Sequence, residues 1–518
     1  MAQKETSSKS RRWLGLSGAA VLVANLVLTG TTIAFQQEGE VNHALGIEGA
    51  DASYGGTEFS ADGTLSDASY EKYIEAAYQF CEQEEEEGSV LLYNRNNALP
   101  LSESERNVTV FGRGSIDPVF RSTAGGSSTN PDYQKTPVDA LQDAGFNVNQ
   151  TVLDAYASAE APKERSVSSV GEYDPALFTG SVTDSFASYG DVAFVTLSRF
   201  ATEGNDLAMV NDEGKRMLEL DDNEKAIFQQ IKDSGKFKKT VVLLNSVFAM
   251  EMDWLDEYNV DAVLWVGKPG FYGMPGAIRV VTGEVNPSGH TTATFAANSL
   301  SAPSAENFGL HAYNYGSKTP RAAGDSFVSY NEGIYVGYRY FETIPGADKA
   351  VNYPFGYGLS YTTFERALVS AEEKQGVIRV RVNVTNTGKY PGKEVMQLYA
   401  QAPQGVLGKA KRVLAAFEKT RLLAQGETQL LTLEAPVAQL ASYDDLGKIQ
   451  KSAYVLEKGK YQFYLGTSVR ETEQVFCFTM PEDTVTEQLT AKLVPTSLAE
   501  RMLSDGSFEK LPQSEPND

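Results

Sequence analysis

The chain has 518 residues, room for roughly two to four domains of about 100–200 residues each. Hydrophobic residues make up 42% and charged residues 22%, the ordinary balance of a globular protein. The formal net charge of -23 would repel phosphate backbones and argues against nucleic acid as a partner.

The N-terminus carries Lys4, Lys9, Arg11 and Arg12 ahead of an uncharged stretch, Trp13 to Phe35. About 20 apolar residues span a bilayer as a helix. Basic residues on the near side predict a cytoplasmic N-terminus at 1–12, a single transmembrane helix at 13–35, and the bulk of the chain outside the cell membrane. A cleaved signal peptide is the rival reading, although the apolar run is long for one and no clear A-x-A site ends it. Residues 36–69 are rich in Gly, Ser, Asp and Glu and read as a linker.

From Tyr70 to Gly88 the spacing predicts a helix with a C-terminal glycine, its acidic run reading as a solvated face. Short apolar strands then alternate with helices. "VTVFG" (108–112), "DVAFVTLSRF" (191–200), "TVVLLNS" (240–246) and "AVLWVG" (262–267) read as buried strands. "PVDALQDAG" (137–145), "DDNEKAIFQQIKDSG" (221–235) and "PGAIRVVTGE" (275–284) read as helices. This alternation predicts a mostly parallel sheet covered on both faces, an α/β layered sandwich over 70–300. A connector covers 301–360. From 361 to 481 the pattern becomes half-buried strands such as "GVIRVRVNVTNTG", separated by Gly-containing turns. That predicts an all-β sandwich of immunoglobulin or fibronectin type III kind. Residues 482–518 read as a polar tail.

Most common chemistries find no support. "FGRGSIDP" has a G-x-G after a strand, but the third glycine of a dinucleotide fingerprint is missing. No G-x-S-x-G elbow is present. His43, His290 and His311 stand in unrelated contexts, which argues against a metal cluster or a His-based triad. Cys81 and Cys477 read as two buried free thiols. Carboxylate chemistry remains. Glu203 stands where a buried strand ends, with Gly204 behind it and Asp206 beyond. The loop outside the carboxyl end of a strand is where open α/β sheets place their sites. Glu203 there is a candidate general acid/base, with a solvated loop acid as the rival reading.

Five stretches resemble glycoside hydrolase family 3, the β-glucosidase-like enzymes. "YNEGIYVGYRYFET" (330–343), "YPFGYGLSYTTFE" (353–365) and "VTNTGKYPGKEVMQLYA" (384–400) are similar to that family's carboxy-terminal region. "GSVLLYNRNNALPLS" (88–102) and "VVTGEVNPSG" (280–289) are similar to the entry and end of its sandwich domain. The resemblance implies a retaining glycosidase acting on a β-linked oligosaccharide or glucoside, with no cofactor and no metal. "TEGND" (202–206) matches the E-G-x-D stretch that supplies the acid/base, which gives that role to Glu203. Asp206 becomes a candidate sugar contact, although Leu207 stands where an Arg often follows it. "FGRGSIDPVFRSTAGGSS" (111–128) resembles a loop near the sugar and adds Arg113 and Ser127 as candidate substrate contacts. Glu332 reads as an ion-pair or hydrogen-bond partner.

The family's nucleophile is an Asp on a (β/α)8 barrel, which needs about 250 residues, or at least about 200. Neither 36–69 nor 481–518 has that length. Asp253-Trp254 in "MDWLDE" imitates the nucleophile's S-D-W motif, but the Ser is absent and the segment falls between two sandwich strands in a helical pattern. The expectation is the swapped-domain-order subgroup without its barrel. This chain would then supply the acid/base half, and a separate or downstream barrel the rest. The alternative is a non-catalytic extracellular module that binds glycans or another protein.

Overall fold

A computed structural model describes residues 67–120, 134–203, 206–309, 311–312, 326–492 and 498–513. The expected transmembrane helix at 13–35, the linker apart from its last three residues, His43 and Ser127 lie outside the described residues. No helix among the described residues is long and apolar enough to cross a membrane. Contacts divide the chain between Lys72 and Tyr73, and the architecture below is that of the unit from Tyr73 onward.

The first domain is built from α1 (Asp67–Gly88), β1 (Val90–Asn94), β2 (Asn107–Phe111), α2 (Pro137–Asp143), β3 (Asn147–Val148), α3 (Gln150–Ser158), β4 (Val192–Ser198), α4 (Asp222–Ser234), β5 (Lys239–Asn245), β6 (Ala262–Trp265) and α5 (Met274–Thr282). Its six strands run in the order β1-β6-β5-β4-β2-β3. All neighbours are parallel except β1, which pairs antiparallel with β6. Alternate residues of one strand enter opposite cores. Ala193, Val195 and Leu197 pack into one hydrophobic cluster, Val192 and Phe194 into the other. Two-sided burial is why these strands read as continuous apolar runs. Helix ends follow their chemistry. Thr136 and Asp139 form a capping box on α2, Asp221 and Glu224 one on α4, and Gly235 ends α4 in the left-handed region.

The acidic end of α1 is not the solvated face its composition suggests. Glu85 is half-buried and accepts a hydrogen bond from Ser89 Oγ at 2.6 Å. Glu82 and Glu86 both pair with Arg279 of α5. Glu87 pairs with Lys393 and Lys419 of the second domain. The helices touch closely at Gly276, where an added Cβ would lie 2.2 Å from the Glu82 carbonyl oxygen. Most of these acids have cationic partners contributed by distant chain segments, which periodicity does not reveal.

Between the domains lie two short strand pairs, β7 (Phe295–Ala296) with β10 (Val351–Tyr353) and β8 (His311–Ala312) with β9 (Ser326–Phe327). The second domain contains β11 (Phe364–Lys374), β12 (Val377–Asn386), β13 (Val395–Gln401), β14 (Val413–Lys419), β15 (Thr428–Pro436), β16 (Ser442–Asp444), β17 (Ala453–Leu456), β18 (Gly459–Gly466), β19 (Thr472–Met480) and β20 (Thr484–Gln488). A three-stranded sheet β11-β12-β15 and a four-stranded sheet β14-β13-β18-β19 enclose a core of Val380, Val382, Leu398, Leu433, Tyr461 and Phe463. A third sheet, β16-β17-β20, stands beside them.

Three further expectations need correction. Residues 482–518 do not form a mere polar tail, because β20 joins the third sheet and a hairpin follows, β21 (Glu500–Met502) with β22 (Phe508–Lys510). The Met502 amide donates to the Asn331 carbonyl, which docks the hairpin on the connector. Its burial comes from one methionine and several ion pairs rather than from an apolar run. Cys477 is exposed on β19, and Cys81 is half-buried. Asp253-Trp254 lies in a series of turns, not a helix. Trp254 Nε1 donates to the Glu251 carbonyl at 2.7 Å and Asp253 accepts from Asn352, so both residues are occupied structurally.

Candidate active site at the end of strand β4

Strand β4 ends at Ser198, and the chain leaves the sheet through Arg199. Ser198 Oγ donates to Asn245 Oδ1 at 2.9 Å, joining the ends of β4 and β5. Asn245 is fully buried. Its Oδ1 also accepts from the Val119 amide at 2.6 Å, and its Nδ2 donates to the carbonyls of Val119 and Gly267. One amide side chain thus ties together four segments at the carboxyl edge of the sheet. The G-x-G after β2 serves the same packing. A Cβ on Gly112, at φ +84°, would meet the Thr196 carbonyl oxygen at 2.7 Å, and one on Gly114 would meet Ser198 Oγ at 2.5 Å. These glycines permit close approach of β2 to β4.

Arg199 is 1% exposed. Its Nη1 and Nη2 grip the Glu224 carboxylate at 2.7 and 2.8 Å. The remaining donors go to the carbonyls of Met217, Ser198 and Glu219. The arginine therefore fixes both ends of the excursion from 200 to 220. Arg216 adds a bidentate pair with Glu251 at 2.8 and 2.9 Å. Lys268 Nζ donates to the Ala201 carbonyl at 3.2 Å, and burial lowers its ammonium pKa.

On this frame Glu203 is exposed in a turn, and Asp206 is exposed just beyond it. Leu207 is buried. Asp206, Leu207, Met209 and Val210 form one wall of a cavity of about 560 Å³, with Leu300 and Phe308 across it. Arg113 sits at the end of the neighbouring strand β2. Its Nε pairs with Asp117 at 2.8 Å, and Nη1 donates to the carbonyls of Lys163 and Gly171. The Arg113 amide donates to Glu172, whose carboxyl is pushed up to about 8 by burial. Glu332 is buried and accepts from Asn307 Nδ2 at 2.6 Å. No group of His, Cys, Asp and Glu able to hold a metal occurs among the described residues.

Sequence reasoning singled out Glu203 and Asp206 but passed over Arg199, Asn245, Glu224 and Lys268. A signal existed for two of them. Arg199 and Asn245 are strongly polar residues at the ends of buried, mostly apolar strands, where a polar group has to be either solvated or completely paired.

Fold and site together define a two-domain protein, an α/β sandwich presenting a carboxylate beyond the carboxyl end of a central strand and a fibronectin-like β-sandwich packed behind it. The chain belongs to glycoside hydrolase family 3. Residues 89–338 match the glycosyl hydrolase family 3 C-terminal domain, and 394–469 the fibronectin type III-like domain. The chain is 39% identical to β-glucosidase A of Butyrivibrio fibrisolvens over 477 residues, covering 83% of this chain and 54% of that protein. It is 38% identical to a β-glucosidase of Ruminococcus albus, covering 83% of this chain and 44% of the relative. Among solved structures, a β-glucosidase from Paenibacillus barengoltzii superposes with TM-score 0.73 at 33% identity, covering 85% of this chain and 48% of that one. β-Glucosidase 3B from Thermotoga neapolitana, in complex with α-D-glucose, gives TM-score 0.66 at 31% identity, covering 80% and 55%. The chain spans about half the length of the relatives it matches.

Proposed function

We propose that this chain supplies the general acid/base of a retaining β-glucosidase-like site, with Glu203 in that role. The observation that carries the reading is the exposure of Glu203 near the start of the excursion from 200 to 220, whose stem is immobilised by Arg199 and Asn245. A catalytic carboxylate needs this combination of access and fixed position. Asp206, Arg113 and Ser127 are the proposed sugar contacts. Nε and Nη1 of Arg113 are held by Asp117 and by the carbonyls of Lys163 and Gly171, which leaves Nη2 as its proposed contact.

The nucleophile belongs to a (β/α)8 barrel supplied separately or further along a longer polypeptide. Exposed apolar residues support a docked partner here. Val210, Leu300 and Phe308 are exposed around the cavity, and Tyr330 and Ile334 are exposed on the segment that Asn307 binds through Asn331 and Glu332. In the completed site the barrel carboxylate attacks the anomeric carbon while Glu203 protonates the departing oxygen. Glu203 then takes a proton from the water that releases the sugar. The substrate is a β-linked glucoside or short oligosaccharide. Residues 13–35 anchor the protein, its bulk outside the cell.

The test is Glu203→Gln in the chain combined with its barrel, assayed on aryl β-glucosides of graded leaving-group ability. Loss of an acid should cost about 100- to 10,000-fold on a poor leaving group and far less on an activated one. An equal loss on both would mean that Glu203 binds rather than protonates. No loss on either would favour a non-catalytic binding module.

A further inference from the structure

We propose that the outer face of the sheet β16-β17-β20 is a carbohydrate platform, on which Tyr443 and Tyr454 take a pyranose ring of a neutral glycan. This goes beyond the acid/base reading of Glu203 and does not depend on it.

Tyr443 lies directly opposite Tyr454 in the antiparallel register, and Tyr454 opposite Glu487. Their rings are 5.3 Å apart between centroids and inclined by 52°. Both remain solvent-accessible, 40% and 38%. Their neighbours Asp444, Ala453 and Val455 are fully buried. Strand alternation therefore puts the tyrosines, and Glu487 in register with them, on the open face. Neither phenolic hydroxyl has a hydrogen bond with the described residues. Two aromatic faces, two free hydroxyls and one carboxylate thus share one small surface.

The frame beneath is rigid. Asp444 accepts four backbone N–H bonds, from Gly447 and Lys448 on one oxygen and from Ile449 and Gln450 on the other. Burial alone would raise this carboxyl, but the four donors hold it below its ordinary range. Gln450 Nε2 donates to Gln488 Oε1, and Gln488 Nε2 donates to the carbonyls of Lys451 and Ser452. From outside the sheet, Arg501 of the C-terminal hairpin reaches Asp445, and Lys448 reaches Glu509. A turn held this way presents the rings with little ordering cost on binding.

The chemistry selects the ligand. A β-linked pyranose has an apolar C–H face that suits a ring and equatorial hydroxyls that suit phenols and a carboxylate, and tyrosine matches both ends of that amphipathic character. The patch is one or two sugars wide, well short of the ~800 Å² per partner typical of stable protein interfaces. The net charge of -23 favours neutral over anionic glycans.

Native affinity electrophoresis of the whole chain through gels containing laminarin or barley β-glucan tests this, with melting temperatures recorded to verify folding. The wild-type chain should be retarded, and Tyr443→Ala/Tyr454→Ala should bind roughly tenfold more weakly or not at all. The Tyr443→Phe/Tyr454→Phe variant should keep most of the retardation, because it keeps the rings. If the double alanine variant does not fold, Tyr443→Ser alone on the edge strand should still weaken binding. No retardation of the wild-type chain by either glucan overturns the proposal. So does retardation that survives loss of the tyrosines, or that is abolished by Asp206→Ala while the tyrosine variants leave it intact.

Discussion

Arg199 and Glu224 face each other through two parallel hydrogen bonds, at 2.7 and 2.8 Å, with side-chain exposures of 0% and 1%. The pair joins the end of the strand that leads to Glu203 to the first turn of α4, where Glu224 also closes the capping box with Asp221. A charge buried this deeply is tolerated because every donor of Arg199 has a partner.

Removing one partner should therefore be far worse than removing both. Glu224→Ala leaves a buried guanidinium unpaired and should cost about 3–5 kcal/mol. The double variant Arg199→Met/Glu224→Leu should recover part of that loss. It would not recover all, because the carbonyls of Met217 and Glu219 lose their donor. Urea midpoints of the three proteins check this, and a double variant weaker than Glu224→Ala would contradict the account.

Stability should also fall as pH rises from weakly acidic to alkaline. Burial pushes the carboxyls of Glu85 and Glu172 up to about 8 from an ordinary 4.5. For a carboxyl raised in the folded state, the unfolded chain releases its proton first. The stabilisation is complete below pH about 4.5 and is lost progressively up to about 8. Glu85→Gln is neutral at every pH and should flatten the slope of melting temperature against pH between 5 and 8. Glu172→Gln should flatten it independently. An unchanged slope in both variants would place the buried charge elsewhere.

The sheet was legible because its strands are covered on both faces, so β4 and β5 appear as unbroken apolar runs ending in turn residues. The β-sandwich was legible because β12 alternates, with Ile378, Val380, Val382 and Val384 buried and polar residues between them. The position of Glu203 in a turn just beyond β4 was legible as a polar interruption at a strand end; the role given to it rests on the "TEGND" resemblance. What escaped were partnerships between distant residues. Nothing local distinguishes Glu224 from any other acid in a helical first turn, and Arg279, Lys393 and Lys419 come to the acids of α1 from far along the chain. The third sheet was missed because it brings together strands of three to five residues from 442 to 488, each too short for a periodicity to develop.

Glu87 makes the clearest electrostatic link between the two domains. Burial would raise its carboxyl, but bonds from Lys393 and Lys419 hold it below the ordinary range. All three side chains are partly exposed, so screening limits each pair to about 1 kcal/mol or less. Glu87→Ala should lower overall stability modestly. It should speed amide exchange at the end of α1 and in β14, more visibly at low salt than at 0.5 M. Exchange confined to other elements would mean that Glu87 does not hold the two domains together.

Asn245 offers the sharpest test of how the site is held. Asparagine matches its surroundings because its oxygen faces two donors, the Val119 amide and Ser198 Oγ, while its nitrogen faces two carbonyls. Asn245→Asp keeps the shape but turns an N–H₂ into an oxygen against those carbonyls. An ionised carboxylate at this position would be repelled, so the side chain should stay protonated well above the ordinary carboxyl range. The variant should lose about 1–3 kcal/mol at pH 5 from one mismatched contact. It should lose more at pH 8, because the unfolded carboxyl is ionised above about 4 while the buried one keeps its proton, and that penalty grows with pH until the folded group titrates. Asn245→Ala removes all four bonds and should be destabilised about equally at both pH values. In either variant the strand end beneath Glu203 loosens, so amide exchange at 198–203 should rise before that of the β5 core. A pH-independent loss in Asn245→Asp would show that the loop ends do not rest on this amide.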